Sequence, residues 1–469
     1  MIGRVAEQRR LREIATSGEA EFVVVYGRRR VGKTYLVRET FAGQLTFSYT
    51  GIANVSAKVQ LTQFERALRE HGHHVSEPVR DWFAAFAQLR AFLDSRRGGR
   101  PLLVFLDELS WMDNHKSDFL PALEHFWNGW AVGIPELTLI ACGSATSWIT
   151  KKVFRNTGGL HNRVTQQIRL RPFTLAECDE HLKSKGIVWS RHDIVEAYMI
   201  LGGIPYYLNL LQRGGSLAQN VDAICFDDGA RLAGEFDRLF DTLFVNSAKH
   251  VAIVRELARK RMGQTREEIA EKVGFADGGN LTRILRELEE SDFVRHYRPF
   301  GLIKRGGLWQ LSDQFVGFYL SFMADRTPGR LWTSFIDNAQ HRAWSGNAFE
   351  QICAAHLPQL RRALGISGVL HDVSSWRSRG TPGAQVDLVI DRQDNVINLC
   401  EMKYWGSAFQ VDAQTERALR EKAAIFQTDT RTRKAVHLTL VTTYGLAPGA
   451  HASVFQNVVT MDDLFERAT

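Results

Sequence analysis

The stretch Phe22-Val-Val-Val-Tyr-Gly-Arg-Arg-Arg-Val-Gly-Lys-Thr-Tyr35 decides the architecture of the first part of the chain. Phe22 to Tyr26 is β-branched and apolar and reads as a strand that meets Gly27; Gly32 then opens a helix near Lys33. Between them lies G-x-x-x-x-G-K-T, a spacing in which glycines let backbone N–H groups close around phosphate while a helix N-terminus adds favourable partial charge. Gly27, Arg28, Arg29, Arg30, Val31, Gly32, Lys33, Thr34 and Tyr35 are therefore the candidate nucleotide-binding residues. Lys33 is expected to reach the β- and γ-phosphates and the Thr34 hydroxyl to ligate Mg²⁺, so ATP and Mg²⁺ are the implied cofactors.

A second element completes that chemistry. In "PLLVFLDELSWM", Leu102 to Leu106 is dense enough for a central parallel strand and delivers Asp107 and Glu108 to its carboxyl edge. Asp107 is expected to hold Mg²⁺ through water, and Glu108 to orient or deprotonate the attacking water. A further apolar strand, Leu137 to Cys142, ends at Gly143-Ser144, where the serine hydroxyl fits a sensor beside that water. Beyond it, Arg155 or Arg163 fits a finger that neutralises transition-state charge, with Arg163 preferred. A finger acting in trans requires a homo-oligomer.

Composition bounds the rest. The 469 residues exceed one core and predict about three domains. Twenty-eight Phe and eleven Trp argue against disorder, and a formal charge of +7 permits an anionic partner without demanding one. The five cysteines, Cys142, Cys178, Cys225, Cys353 and Cys400, form no C-x-x-C pair, which fits a reducing cytoplasmic setting. No run of eighteen apolar residues appears, so no membrane partner is expected.

Taken together, Gly3, Arg4 and Glu7 (G-R-x-x-E), the phosphate loop, "LLVFLDE", "ACGS", "IRLRPF" and "GGIPYYL" resemble the AAA+-related ATPases first grouped as archaeal and widespread in bacteria. The resemblance covers roughly residues 1–235. It implies that Gly3 and Arg4 lie near adenine, and that Gly202, Gly203, Ile204 and Pro205 belong to a helical lid closing on the nucleotide. The lid arginine usual in that family is not evident at "GGIPYYL".

Past the glycines of "QRGGSL" the pattern changes. Phe244 to Leu257 reads as a helix; "QTREEIAEKVG" is a second, with Thr265 and Glu268 spaced as a capping box. "GGNLTRILRELEESDFV" is a third, with Leu281, Ile284, Leu285 and Leu288 on one stripe. Val294 to Arg298, a turn at Arg305-Gly-Gly307 and Leu308 to Leu311 follow. This is a winged-helix order, in which Arg283, Arg286, Arg298, Lys304 and Arg305 are candidates for phosphate contact, or the module serves only in packing.

After a linking helix through "QFVGFYLSFMADR" comes the stretch that bears on chemistry. "GNAFEQICAAHL" reads as a helix carrying Glu350. Val386-Asp-Leu-Val-Ile390 reads as a strand with Asp387 embedded among apolar residues, Asp391 to Asn395 as a hairpin turn, and Val396 to Lys403 as the return strand. Glu401 and Lys403 are two apart and leave one face. Asp387 and Glu401, with Glu350 as a third acid, are candidate ligands for Mg²⁺ or Mn²⁺, and Lys403 is expected to orient water and neutralise charge. An idle carboxylate inside V-D-L-V-I is expected to be expensive. Roughly residues 340–469 resemble the PD-(D/E)xK nuclease core, and the C-terminal domain often fused to the ATPases named above; Val386 stands where that motif has proline.

The expected fold class is α/β throughout: a P-loop AAA+-like ATPase core (1–170) with helical lid (171–235), a winged-helix domain with linking helix (236–335), and a restriction-endonuclease-like domain (336–469). The expected function is a Mg²⁺-dependent ATPase coupled to nucleic-acid binding, with metal-dependent DNA cleavage by its last domain; the alternatives are an ATP-regulated DNA-binding protein without cleavage and a signalling switch that engages a protein partner.

Overall fold

The apolar runs of the N-terminal third become parallel strands. A computed structural model of the protein describes residues 2–467 apart from 76, 115–116, 145, 156–159, 161, 245, 261, 276–277, 302–306, 326–328, 379 and 381–382. The chain divides into two units, residues 1–172 and 173–469.

In the first unit, β1 (Glu21–Tyr26), β2 (Phe47–Thr50), β3 (Leu102–Asp107), β4 (Leu137–Gly143) and β5 (Gln166–Arg169) form a parallel sheet in the order β2-β3-β4-β1-β5. Every residue of β3 and β4 is buried, as in central parallel strands covered by helices on both faces. The order sets the carboxyl ends of β3, β4 and β1 side by side. The helices Ala57–Glu70 and Trp82–Asp94 begin where the Ser56 and Asp81 side chains accept backbone N–H groups. They carry Phe64 and Trp82 into an aromatic core, with Trp82 edge-on to Phe119 at 4.9 Å between ring centres.

The second unit opens with the helices Leu175–Ser184 and Arg191–Leu201, each started by a capping box, Thr174 with Glu177 and Ser190 with Asp193. Gly202 (φ 67°) ends the second helix, and Gly203 (φ 64°) follows. A Cβ on Gly203 would stand 2.5 Å from the Phe173 carbonyl oxygen, so that turn needs glycine for both its conformation and its space. Pro205 then occupies the first turn of the short helix Pro205–Leu208.

Next come the helices Ala248–Arg259, Arg266–Val273 and Gly279–Glu290, followed by the antiparallel ribbon β6 (Val294–Tyr297) and β7 (Leu308–Leu311). The first of these starts later than Phe244, because Asn246 adopts a left-handed φ of 59°. The Thr265–Glu268 capping box forms as expected, and Leu281, Ile284, Leu285 and Leu288 are buried. Lys304 and Arg305, and with them the expected turn, lie outside the described residues.

The helix Ala339–Ala355 precedes the last sheet. It starts seven residues before Gly346 because the Asn338 side chain accepts the His341 N–H at 2.8 Å. The sheet contains β8 (His371–Arg377), β9 (Gln385–Arg392), β10 (Val396–Lys403), β11 (Ala435–Thr442) and β12 (Asn457–Thr460), in the order β12-β11-β10-β9-β8. β8, β9 and β10 form an antiparallel meander; β11 lies parallel to β10 after a crossover through the helix Ala413–Thr430, and β12 parallel to β11. β9 runs on to Arg392, so the hairpin turn is shorter than expected, with Asn395 at φ 65°. The segment after β6 covers the outer edge of β8, where the Phe300 N–H donates to the Ser375 carbonyl at 2.7 Å. No helix among the described residues is long and apolar enough to cross a membrane.

Candidate functional site

The loop after β1 owes its path to glycine. Gly27 lies at φ 145°, and a Cβ there would stand 2.2 Å from the Leu170 carbonyl oxygen. Gly32, at φ 91°, caps the helix Lys33–Thr40. The Lys33 ammonium is buried and donates to the carbonyls of Gly27 and Arg28, both at 3.0 Å. Burial lowers its pKa, while Glu108, Cys142 and Asp107 pull in the opposite direction.

The ends of β1, β3 and β4 bring the remaining groups together. The Thr34 hydroxyl donates to Asp107 Oδ2 at 2.8 Å. Burial raises the Asp107 pKa; the Thr34 hydrogen bond opposes this and the Glu108 charge adds to it. Glu108 is held at φ 50°, left-handed for a non-glycine residue and a mark of a constrained site. Its carboxylate accepts the Ser144 N–H at 3.2 Å and the Ser144 hydroxyl at 2.8 Å. Both carboxylates are thus capped by neutral hydroxyl donors on adjacent elements.

Arg4 is buried, and its guanidinium reaches the loop, donating to the Val31 carbonyl at 3.3 Å and to the Arg171 carbonyl at 2.6 Å. Gly3 (φ 63°) and Arg4 (φ 59°) are both left-handed, the bend that turns the arginine inward. Arg29 and Arg30 are partly buried, Tyr35 is exposed, and Arg155 and Arg163 are exposed near the end of the unit. Pro205 belongs to the second unit.

The second candidate site departs from expectation in one respect. Val386 and Leu388 are buried, but Asp387 between them is exposed, although Val389 on the same face of the strand is buried. The expectation of an acid trapped in an apolar strand is corrected. Gln385 Nε2 donates to its Oδ1 at 2.5 Å. The register pairs Leu388 with Cys400, so Asp387 and Glu401 fall at the next opposing position, on one face. Glu401 is largely buried between two cations, Lys403 Nζ at 2.8 Å from one oxygen and Lys422 Nζ at 2.7 Å from the other. Burial raises the Glu401 pKa, but Lys422 and Lys403 outweigh it and the net shift is downward. Burial and the neighbouring Asp387 and Glu401 charges push the Glu350 carboxyl up to about 8, despite Lys403 and Arg295.

Glu350, Asp387, Glu401 and Lys403 therefore share one electrostatic environment. Among the described residues no group of three or more His, Cys, Asp and Glu side chains is disposed to hold a metal ion. Glu350 and Asp387 line a cavity of about 550 Å³ between the ribbon, the helix Ala339–Ala355 and the edge of the last sheet. Glu401 and Lys403 line a smaller recess of about 280 Å³ with Lys422.

Sequence reasoning missed Lys422 and Arg295. Lys422 lies on the crossover helix Ala413–Thr430, 21 residues from Glu401, and Arg295 stands on β6, so no local spacing links either to the acids. Of the candidate phosphate-binding arginines, Arg283 is tied to Glu287 at 2.7 Å and to Asn280 at 2.8 Å, while Arg286 and Arg298 are exposed.

Residues 1–211 match the family described as "ATPase domain predominantly from Archaea". This part of the chain is a P-loop ATPase domain, and the protein is an ATP hydrolase. The match runs past Pro172 into the first helices of the second unit. A protein of Methanocaldococcus jannaschii, described as uncharacterized, is 23% identical over 415 residues, covering 86% of this chain and 87% of its own. Among solved structures, the Walker-type ATPase of Pyrococcus abyssi is 17% identical with a TM-score of 0.48, covering 69% of this chain and 96% of that one. The ORC2 protein of Aeropyrum pernix is 14% identical with a TM-score of 0.45, covering 68% and 92%.

Proposed function

We propose that this ATPase acts on nucleic acid, and that its C-terminal sheet carries a metal-dependent nuclease site on a restriction-endonuclease-like core, with the three helices and ribbon before it serving as a winged helix. The observation that carries the reading is the placement of Asp387 opposite Glu401 on adjacent strands, with Lys403 on Glu401 and Glu350 in the same field. An antiparallel meander, a helical crossover and a parallel fourth strand supply the frame.

In the ATP site, Lys33 holds the β- and γ-phosphates, Glu108 orients the attacking water, and Ser144 fixes the Glu108 carboxylate. Thr34 and Asp107 are a hard oxygen pair already hydrogen-bonded, which fits Mg²⁺. Mg²⁺ bound with the triphosphate neutralises phosphate charge. Gly3 and Arg4 shape the adenine side, Pro205 lies in the lid, and Arg163 acts as a finger from a neighbouring subunit. Sedimentation with and without a nonhydrolysable analogue tests that last role: a strict monomer with full activity excludes it.

In the C-terminal site the donors are again all oxygen, but the acids are not gathered as a ready metal group among the described residues; Mg²⁺ or Mn²⁺ would be held by Asp387, Glu401 and Glu350 only once the Lys403 and Lys422 pairs with Glu401 open. Such an ion supplies Lewis-acid activation of the scissile phosphate. Lys403 positions water and offsets developing charge once Glu401 releases it.

The test is incubation of supercoiled, linear and single-stranded DNA with Mg²⁺ or Mn²⁺, with and without ATP. Cleavage by the parent chain that disappears in Glu401→Ala and Lys403→Ala, with DNA affinity retained, supports the reading. The rival is an ATP-regulated DNA-binding protein without cleavage, favoured by the two lysines that occupy both Glu401 oxygens. Salt-sensitive binding without cutting selects it. Neither binding nor cutting points to a switch that engages a protein partner.

A further inference from the structure

The cavity beside the acidic site is shaped for less than a duplex. Its volume of about 550 Å³ lies within the range of pockets that hold one small molecule. A box of that volume is roughly 8 Å on a side, room for one nucleotide rather than a run of stacked base pairs. One wall is the ribbon, through Arg295, Tyr297, Leu308 and Gln310; the opposite walls are the helix Ala339–Ala355 and the strands β8 and β9.

The lining is charged and polar: it carries Glu268, Glu350 and Asp387 as well as Lys260, Arg295 and Arg377, and three of its features bear on what could enter. Arg295 is set into the wall, with Nε donating to Gln310 Oε1 at 2.8 Å and its guanidinium 5.4 Å from the Tyr297 ring centre. Ser374 Oγ is buried and has no hydrogen-bond partner among the described residues. Gly346 stands in the interior of the helix Ala339–Ala355, where glycine costs about 1 kcal/mol relative to alanine. A Cβ at Gly346 would meet no atom of the described residues within 4 Å, so packing against them does not require the glycine. It lines the cavity one turn before Glu350 and leaves the space open.

We infer that this cavity is a pocket for a single unpaired nucleotide, with Arg295 taking its phosphate and the Tyr297 side of the ribbon facing the sugar and base, so that the substrate class is single-stranded or frayed nucleic acid. The inference rests on the nucleic-acid reading above. Single strands bring an accessible phosphate and a base free of its partner, which a pocket of this size admits and a continuous duplex does not.

The experiment is equilibrium binding of labelled oligothymidylate and of a closed hairpin duplex to the full chain in EDTA, alongside Arg295→Gln and Gly346→Phe, with ATPase rate and thermal melting as folding controls. The expected result is at least about tenfold preference for the single strand, lost by about tenfold in Arg295→Gln. Gly346→Phe, which projects into open space, should lose the same preference while melting normally. Equal affinity for the two probes, or single-strand binding unchanged in both variants, overturns the pocket. Strand-selective binding without cleavage in Mg²⁺ keeps the pocket and removes the nuclease reading. Cleavage of closed duplex unaffected by Arg295→Gln does the reverse, and binding to neither probe overturns both.

Discussion

Two acidic clusters in this chain are stabilised in opposite ways. Asp107 and Glu108 are each capped by a neutral hydroxyl, Thr34 and Ser144, and the nearby cation Lys33 is occupied by loop carbonyls. Glu401 is instead clamped between Lys403 and Lys422, and Glu350 is held protonated near neutral pH by burial and its acidic neighbours. A hydroxyl-capped carboxylate keeps its charge available and changes partners without breaking an ion pair. A lysine-clamped carboxylate beside a protonated acid must exchange partners before it can serve, so it responds to pH and to cations. The first arrangement suits a site used in every turnover, the second a site that is gated.

The largest effect expected from this contrast is on ATP hydrolysis. Glu108→Gln should lower phosphate release by roughly 10²–10⁴-fold, the usual worth of a positioned base, while nucleotide binding persists through Lys33, Thr34 and Asp107. Lys33→Ala should lose both binding and hydrolysis. Wild-type rates in both variants would show that the hydroxyl-capped cluster is not the catalytic one.

Next in size is a backbone effect. In Gly27→Ala the new Cβ meets the Leu170 carbonyl oxygen at 2.2 Å, a main-chain atom that cannot swing aside. The substitution should destabilise the chain by roughly 2–4 kcal/mol. Urea unfolding followed by tryptophan fluorescence measures this; an unchanged midpoint would mean that β5 yields freely.

The sequence disclosed these two regions unequally for physical reasons. The phosphate loop is one contiguous run whose function lies in backbone geometry, so its glycines and lysine are legible without knowledge of the fold. Asp107 and Glu108 were legible too, because a solidly apolar strand ending in acids has few other meanings. The C-terminal site draws on a ribbon, a helix, two strands and a crossover helix. Glu401 and Lys403 showed through strand alternation, but Asp387 reads in the sequence as enclosed by its apolar neighbours, which are buried while it is exposed. Arg295 and Lys422 left no local trace, since their partners are distant in the chain. Helix starts moved where a single residue governed them, Asn246 in the left-handed region and Asn338 as a cap.

The acidic clusters should also part in their response to pH. The Glu350 carboxyl at about 8 lies above its unfolded value. Its stabilising contribution is therefore full below the unfolded pKa, near pH 4.5, and is lost as pH rises through about 8. Glu401, with its pKa lowered, works the other way: its contribution is present above the unfolded pKa and disappears as pH falls through the folded one. Between roughly pH 5 and 8 Glu350 governs this pair, and its effect is on the order of a few kcal/mol. Thermal melting across this window should flatten in Glu350→Gln. Added Mn²⁺ should raise the melting temperature of the parent chain more at pH 8 than at pH 5. Identical pH profiles for parent and variant would remove Glu350 from the gate.

The smallest effect distinguishes two neighbouring arginines on the helix Gly279–Glu290. Arg283 is committed to Glu287 and Asn280 in a surface pair, whereas Arg286 is exposed on the same helix. Arg283 is half-exposed while Glu287 is largely buried and also bonds His250, so the pair is worth about 1 kcal/mol or less and Arg283→Ala should change melting only slightly. Recruiting Arg283 to a phosphate means breaking that pair, so its loss should change nucleic-acid affinity little. Among the described residues Arg286 has no such pair to break. If this helix touches the backbone, Arg286→Ala should weaken binding by about 1 kcal/mol and reduce the salt dependence by about one counterion. Fluorescence anisotropy at several salt concentrations reads both quantities. A larger loss in Arg283→Ala than in Arg286→Ala would mean that the Glu287 pair opens on binding, and that even a committed surface cation can be drawn to phosphate.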